Sequence, residues 1–143
     1  MKIKSIITML AAVAVLMTGA VNAEGKRYDK AVSWKNIVKI DYKPGKRGAA
    51  LKIIKEYYRP ATEKAGTNAP EMILELQTGD YDLLVVWHMK GGINDMTWET
   101  NPEQKQWRAA LNEIAGSEEK AKEILDEYIS YVHHAESEIA ITR

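Results

Sequence analysis

The stretch Glu71–Met89, EMILELQTGDYDLLVVWHM, decides how the rest of the chain is read. Two apolar runs flank Thr78-Gly79-Asp80, and Gly-Asp between β-rich runs is a hairpin signal. With Gly79 and Asp80 as the two loop residues, Leu76 faces Leu83, Leu74 faces Val85 and Met72 faces Trp87. That side of the hairpin is wholly apolar. The other side pairs Gln77 with Asp82, Glu75 with Leu84, Ile73 with Val86, and Glu71 with His88. A one-residue slip mixes the two sides, so the apolar pattern favours this register.

Upstream, Ser33–Tyr42 (SWKNIVKIDY) alternates and reads as a first strand, with Lys43-Pro44-Gly45 ending it. In the segment that follows, Ala50, Ile53, Ile54, Tyr57, Tyr58 and Ala61 recur at helical spacing. This predicts an amphipathic helix from Arg47 to Lys64, kinked or ended at Pro60 and capped by Gly66. Downstream, Met89–Thr100 has no sustained period and two adjacent glycines, so it reads as a long loop. Asn101-Pro102-Glu103-Gln104 is a helix start with an N-cap, proline at the first position and Gln in the capping-box place. This helix buries Trp107, Ala110, Leu111 and Ile114 and stops at Gly116. Ser117 caps another, whose face is Ala121, Ile124, Leu125, Tyr128, Ile129 and Val132, ending at His133-His134. Glu136–Thr142 alternates as a fourth strand.

The order β-α-β-β-α-α-β predicts an α+β sandwich of the ferredoxin-like type, a four-stranded antiparallel sheet with helices on one face. The apolar side of the hairpin should meet the helices. Ile73, Leu84 and Val86 are left on the other face, joined by Ile37. An uncovered apolar patch marks an interface, and two sheets facing each other across a two-fold axis is the simplest arrangement.

The first 23 residues combine Lys2 and Lys4, an apolar run from Ile6 to Met17 and the ending Val21-Asn22-Ala23. That is the pattern of a secretory signal peptide cleaved after Ala23. The other reading is an uncleaved anchor, although the run falls short of the ~20 residues a span needs. The expected organisation is a signal peptide over residues 1–23, a polar N-terminal arm over 24–32 and one domain over 33–143, placed in a periplasm or secreted. The 20 basic and 20 acidic residues balance; losing Lys2 and Lys4 leaves a slight negative excess. Nucleic-acid binding, which calls for a basic stripe, is not expected, nor is a membrane role after cleavage. With no cysteine, disulfides, thiol redox chemistry and Cys metal sites are excluded. Phe is absent, so the aromatic bulk is Tyr and Trp, whose polar tips need partners when buried.

This element order with a half-apolar outer face resembles the dimeric α/β-barrel superfamily, which includes small monooxygenases, haem-degrading enzymes, chlorite-dismutase-like enzymes and stress-responsive proteins. The stretch TGDYDLLVVWHMKGGINDMTWETNPEQKQW also resembles a group of small exported bacterial proteins with a TG-x-YD…VW…GG…WE…P…W pattern. The resemblance implies a homodimer, with a small apolar ligand between sheet faces as a candidate occupant. Haem-degrading members use an Asn on the first strand, a Trp on the third and a His on the following helix. Here Asn36 and Trp87 match the first two, but the helix from Asn101 to Ala115 has no His. No cofactor is expected.

Among titratable residues, His88 stands out. The expected register sets it opposite Glu71, with Lys39 on the same face of the first strand. A carboxylate beside an imidazole fixes its tautomer and suits acid–base work; the plainer reading is a cross-strand contact at the sheet rim. His133-His134 with Glu136 and Glu138 reads as helix-end residues rather than a metal site, since adjacent helical side chains diverge by about 100°. Trp98 is either a lid over an apolar ligand or an anchor in the core. Lys90-Gly91-Gly92 lacks the Lys-Ser/Thr of a phosphate loop. The candidate set is therefore His88 and Glu71 for acid–base chemistry, with Lys39, Ile73, Leu84, Val86 and Trp98 lining a ligand space, in a protein that is either a ligand-binding dimer, a cofactor-independent or haem-linked monooxygenase-like enzyme, or a protein-interaction module using the exposed sheet face.

Overall fold

A computed structural model describes residues 25–28 and 31–143. The signal peptide, its cleavage point and part of the N-terminal arm lie outside the described residues. The strands are β1 (Ser33–Tyr42), β2 (Met72–Glu75), β3 (Leu83–His88) and β4 (Val132–Thr142). They form one antiparallel sheet in the order β2-β3-β1-β4. Helices α1 (Arg47–Ile53) and α2 (Arg59–Ala65) follow β1, and α3 (Pro102–Ala115) and α4 (Glu118–Tyr131) follow β3. This is the ferredoxin-like α+β sandwich that the element order implies.

The core lies between sheet and helices. Leu83 and Val85 from β3, Tyr42 from β1 and Ala50 from α1 are buried together, with Val38, Ile40, Trp87 and Tyr128 packed around them. A second cluster, Ala61, Ala110, Leu111 and Ala121, joins α2, α3 and α4. Alanines at these crossings let the helix backbones approach closely. With no Phe, Tyr fills the interior and satisfies its hydroxyl locally: the Tyr42 and Tyr128 oxygens lie 2.8 Å apart. Burial is the main cause that pushes the pKa of Tyr42, and likewise of Tyr58 and Tyr128, above the usual phenol value.

Pro60 does not end its helical run, but the regular α-helix is interrupted just before it. A π-helical turn, Ile54–Tyr58, joins α1 to α2 and the helical run continues to Ala65. Proline lacks an N–H and its ring crowds the carbonyl four residues back; one wider turn relieves both. Nearby, the carbonyl of Tyr58 accepts from Thr62 Oγ1 at 3.0 Å and Trp107 Nε1 at 3.4 Å. Gly66, at φ 62°, closes the helix in the left-handed region as expected. Asn101 caps α3 through its side chain, which accepts from the Glu103 amide, and Ser117 caps α4.

Two boundaries differ from the sequence reading. The long loop contains a 3-10 helix, Gly92–Thr97. Strand β4 starts at Val132 with no intervening loop, so His133 and His134 belong to the strand and not to a helix end. The full length of β1 pairs with β4; that ladder, which a helix ending at His134 would forfeit, sets where α4 stops. Ile129, expected on the buried face of α4, is 65% exposed.

The hairpin itself is shifted. Met72 pairs with Val86, Ile73 with Val85, Leu74 with Leu84 and Glu75 with Leu83. The turn is longer than two residues: the Leu76 amide donates to the Asp82 carbonyl, leaving residues 77–81 as the loop. An odd loop moves β2 by one residue and turns it over relative to β3. Ile73 and Glu75 therefore face the helices, while Met72 and Leu74 face outward. The cause is Arg47, at the start of α1. Its guanidinium donates to the Leu76 carbonyl at 3.1 Å and to Glu75 Oε2 at 3.2 Å, and stands 3.7 Å from Asp82 Oδ1. Asp82 Oδ2 also accepts from the Tyr42 amide at 2.9 Å. This polar knot requires Glu75 on the helix side.

Candidate functional site

The sheet face away from the helices is open. Along it run Ile37 on β1, its partner Val86 on β3 and Met72 on β2, then Lys39, Leu84 and Leu74 in the next row. Leu84 and Val86 take the outward positions expected of them. Ile73 does not: the register shift puts it beside the buried Val85 on the helix side, and Met72 and Leu74 take its place. Met72 is 50% and Leu74 45% exposed. The outward apolar patch is thus larger than the sequence reading made it.

Polar clusters close both ends of the patch. At one end the Lys35 ammonium bridges both Glu71 oxygens, at 2.7 and 2.5 Å. His88 pairs with Lys35 across the strands, and its Nδ1 lies 3.2 Å from Ser33 Oγ, 3.5 Å from Lys35 Nζ and 3.9 Å from Glu71 Oε1. Glu71 and His88 are therefore together as expected, with a lysine between them, but that lysine is Lys35. Lys39 is one strand repeat too far along. It sits at the other end, 3.1 Å from Glu136 and 2.9 Å from Glu138, with its ammonium 5.1 Å from the centre of the Tyr81 ring.

Three side chains converge on Glu136, namely Tyr81, Lys39 and His134, and Lys39 also reaches Glu138. The Tyr81 hydroxyl first, then Lys39 and His134, hold the Glu136 carboxyl well below its ordinary range, at about 2. The two glutamates hold Lys39 above its ordinary value. Sequence reading missed this cluster because it took β4 to start at Glu136 and Tyr81 to lie beyond a tight turn.

Trp98 is not in the core and not on the open face. It is 55% exposed and lines a separate cleft with Asn68, Lys90 and the first turn of α3. Asn36 and Trp87 pair directly, but on the helix side, where Trp87 packs into the core and Asn36 Oδ1 accepts from Ser137 Oγ at 2.6 Å. Among the described residues no group of three or more His, Asp or Glu is placed to hold a metal ion.

The fold and this face define a class: a ferredoxin-like α+β domain whose sheet carries an uncovered apolar patch between two charged clusters. No protein-family model and no curated protein matches the chain. Solved structures similar to it include a NIPSNAP family protein of unknown function from Agrobacterium tumefaciens, 14% identical over 77% of this chain and 87% of that one, with a TM-score of 0.47. A second NIPSNAP family protein from the same organism is 11% identical over 82% and 91%, at 0.48. A putative antibiotic biosynthesis monooxygenase from Nitrosomonas europaea is 15% identical over 75% and 95%, at 0.42. The fold assignment stands on the chain's own strand order and pairing.

Proposed function

We propose that this chain is an exported protein that pairs as a two-fold homodimer through its open sheet faces and holds a small apolar ligand in the space between them. The outward patch of Ile37, Met72, Leu74, Leu84 and Val86 carries this reading. Met72 and Leu74 are about half exposed and Ile37, Leu84 and Val86 partly so, and covering a half-exposed residue of this size is worth roughly 1 kcal/mol. The clusters at either end contain both charge signs, so a second copy of the same surface can be matched to it. The start of the chain, Lys2 and Lys4 ahead of an apolar run ending in Val21-Asn22-Ala23, supports export.

Light scattering on the processed protein tests the pairing: the expected mass is twice that of one chain beginning at Glu24. Val86→Glu should give a folded monomer. A monomeric parent protein overturns the dimer and leaves the face to a different protein partner. A second reading, an oxygenase-like enzyme using His88 for proton transfer, is supported by Ser33 Oγ at 3.2 Å and by the partial exposure of the imidazole. Turnover lost in His88→Gln, with the dimer intact, would favour it.

A further inference from the structure

The segment from Lys90 to Glu103 walls a cleft of about 240 Å³ beside the start of α3. One wall is apolar, made of the exposed indole of Trp98 and the ring of Pro102. The rest is planar or charged polar: Asn68, Lys90, Asp95, Asn101 and Glu103. Several of these groups already have one partner, which fixes their orientation. Asn68 Nδ2 donates to the His88 carbonyl at 2.8 Å, Asn101 Oδ1 accepts from the Glu103 amide at 2.9 Å, and Asp95 Oδ2 accepts from the Gly91 amide at 3.0 Å. The second atom of each, Asn68 Oδ1, Asn101 Nδ2 and Asp95 Oδ1, makes no hydrogen bond among the described residues. Lys90 Nζ has one long contact, 3.4 Å to Glu103.

The loop is preformed. A Cβ at position 91 would lie 2.2 Å from Asp95 Oδ1, so only glycine lets that carboxylate fold back over the chain. The Gly92 amide donates to the Met89 carbonyl at 3.0 Å and Thr97 Oγ1 to the Asn94 carbonyl at 2.7 Å. Trp98 follows this bonded turn and is 55% exposed.

The lining excludes several ligand classes. An apolar ligand wants a mostly apolar enclosure, and here only two side chains supply it. An anion meets two carboxylates, Asp95 and Glu103, against one ammonium, and Glu103 is already engaged by Lys90 and by the Asn68 amide. What fits is a neutral molecule with one apolar face and a rim of groups that both donate and accept. We propose that this cleft binds a neutral saccharide, with one pyranose ring stacked on Trp98 and its hydroxyls bonded to Asn68, Asp95 and Asn101. The C–H face of a pyranose covers an indole, while each hydroxyl pairs with an acceptor and a donor together.

Saturation-transfer NMR on the processed protein, with maltotetraose and chitotetraose as probes, tests the site. At least one sugar should receive saturation. Trp98→Ala should weaken that binding at least tenfold and Trp98→Phe much less. Gly91→Ala, which displaces Asp95 without touching the indole, should also weaken it. Circular dichroism should show all three variants folded, since Trp98 lies outside the core. No transfer to either sugar, transfer unchanged in Trp98→Ala, or binding of free indole in place of sugar would each overturn the proposal.

Discussion

The two faces of the sheet are built from adjacent residues of the same strands, yet they differ in everything except composition. On β3, Leu83 and Val85 point to the helices and are 1% and 8% exposed. Leu84 and Val86, their neighbours in sequence, point the other way and remain partly in water. On the helix side, α1 and α4 close the space and tyrosine hydroxyls pair with one another. On the open side, salt bridges frame the apolar rows and, among the described residues, no element lies across them. Hydrophobicity alone therefore does not distinguish core from surface here; what covers a residue does.

That contrast breaks most sharply at adjacent leucines. Leu83→Ala leaves a cavity in a site with no room to collapse and should cost about 2–5 kcal/mol of unfolding free energy. Leu84→Ala removes the same atoms from the open face and should cost less than half as much in dilute protein. Urea denaturation at two protein concentrations sharpens the comparison. If a second copy covers the open face, the cost of Leu84→Ala rises with concentration while that of Leu83→Ala does not. Equal losses at both positions and concentrations would mean that the two faces are not different in kind.

Arg47 decides which residues of β2 belong to which face. Arg47→Ala removes its bonds to the Leu76 carbonyl and Glu75 and its contact with Asp82. Because the guanidinium is partly exposed, the expected cost is about 1–2 kcal/mol. Hydrogen exchange at the Leu76 amide should accelerate, because its bond to Asp82 closes the loop that Arg47 braces. Arg47→Lys should recover little, since an ammonium lacks the fork that reaches carbonyl and carboxylate together. Unchanged exchange would place control of the register in the loop itself.

The alternation of β1 and β3, the helix starts at Asn101 and Ser117, and the glycine stops at Gly66 and Gly116 were all legible, because each is a local pattern. The register of β2 was not. The apolar alternation of Met72, Leu74 and Leu76 points to the other phase, and the observed one goes with a guanidinium about 28 residues upstream in the chain. The same one-residue error moved Ile73 off the open face and hid Met72 and Leu74. Lys35 and Lys39 share a face and a chemistry, so only the strand offset could say which would meet His88. In the candidate site, Glu71 and His88 were found because they flank both ends of the hairpin. Tyr81 and Glu136 were missed because their meeting requires a five-residue loop beside a strand that was read too short. Trp98 came out as no core anchor: it is exposed and lines a cleft beside the start of α3.

The smallest expected effect concerns the charged rim of the open face. Glu136 should titrate near 2, and in Tyr81→Phe its pKa should rise toward the ordinary carboxylate value, because the Tyr81 hydroxyl is the leading cause of the shift. Lys39→Met should raise it as well, since Lys39 acts on Glu136 through both its hydrogen bond and its charge. The sign follows from linkage: a carboxyl depressed in the folded state adds stability above its unfolded pKa, and that contribution is lost as pH falls through about 2. The buried tyrosines of the opposite face work at the other end of the scale. Their raised pKa values favour the neutral phenol in the folded state, so their contribution holds below about 10 and fades as pH climbs above it. Carbon-detected NMR titration of the Glu136 carboxyl reads the first effect directly. An ordinary Glu136 titration would dissolve the cluster at one end of the open face, and with it the mixed-sign frame that suits this face to a second copy of itself.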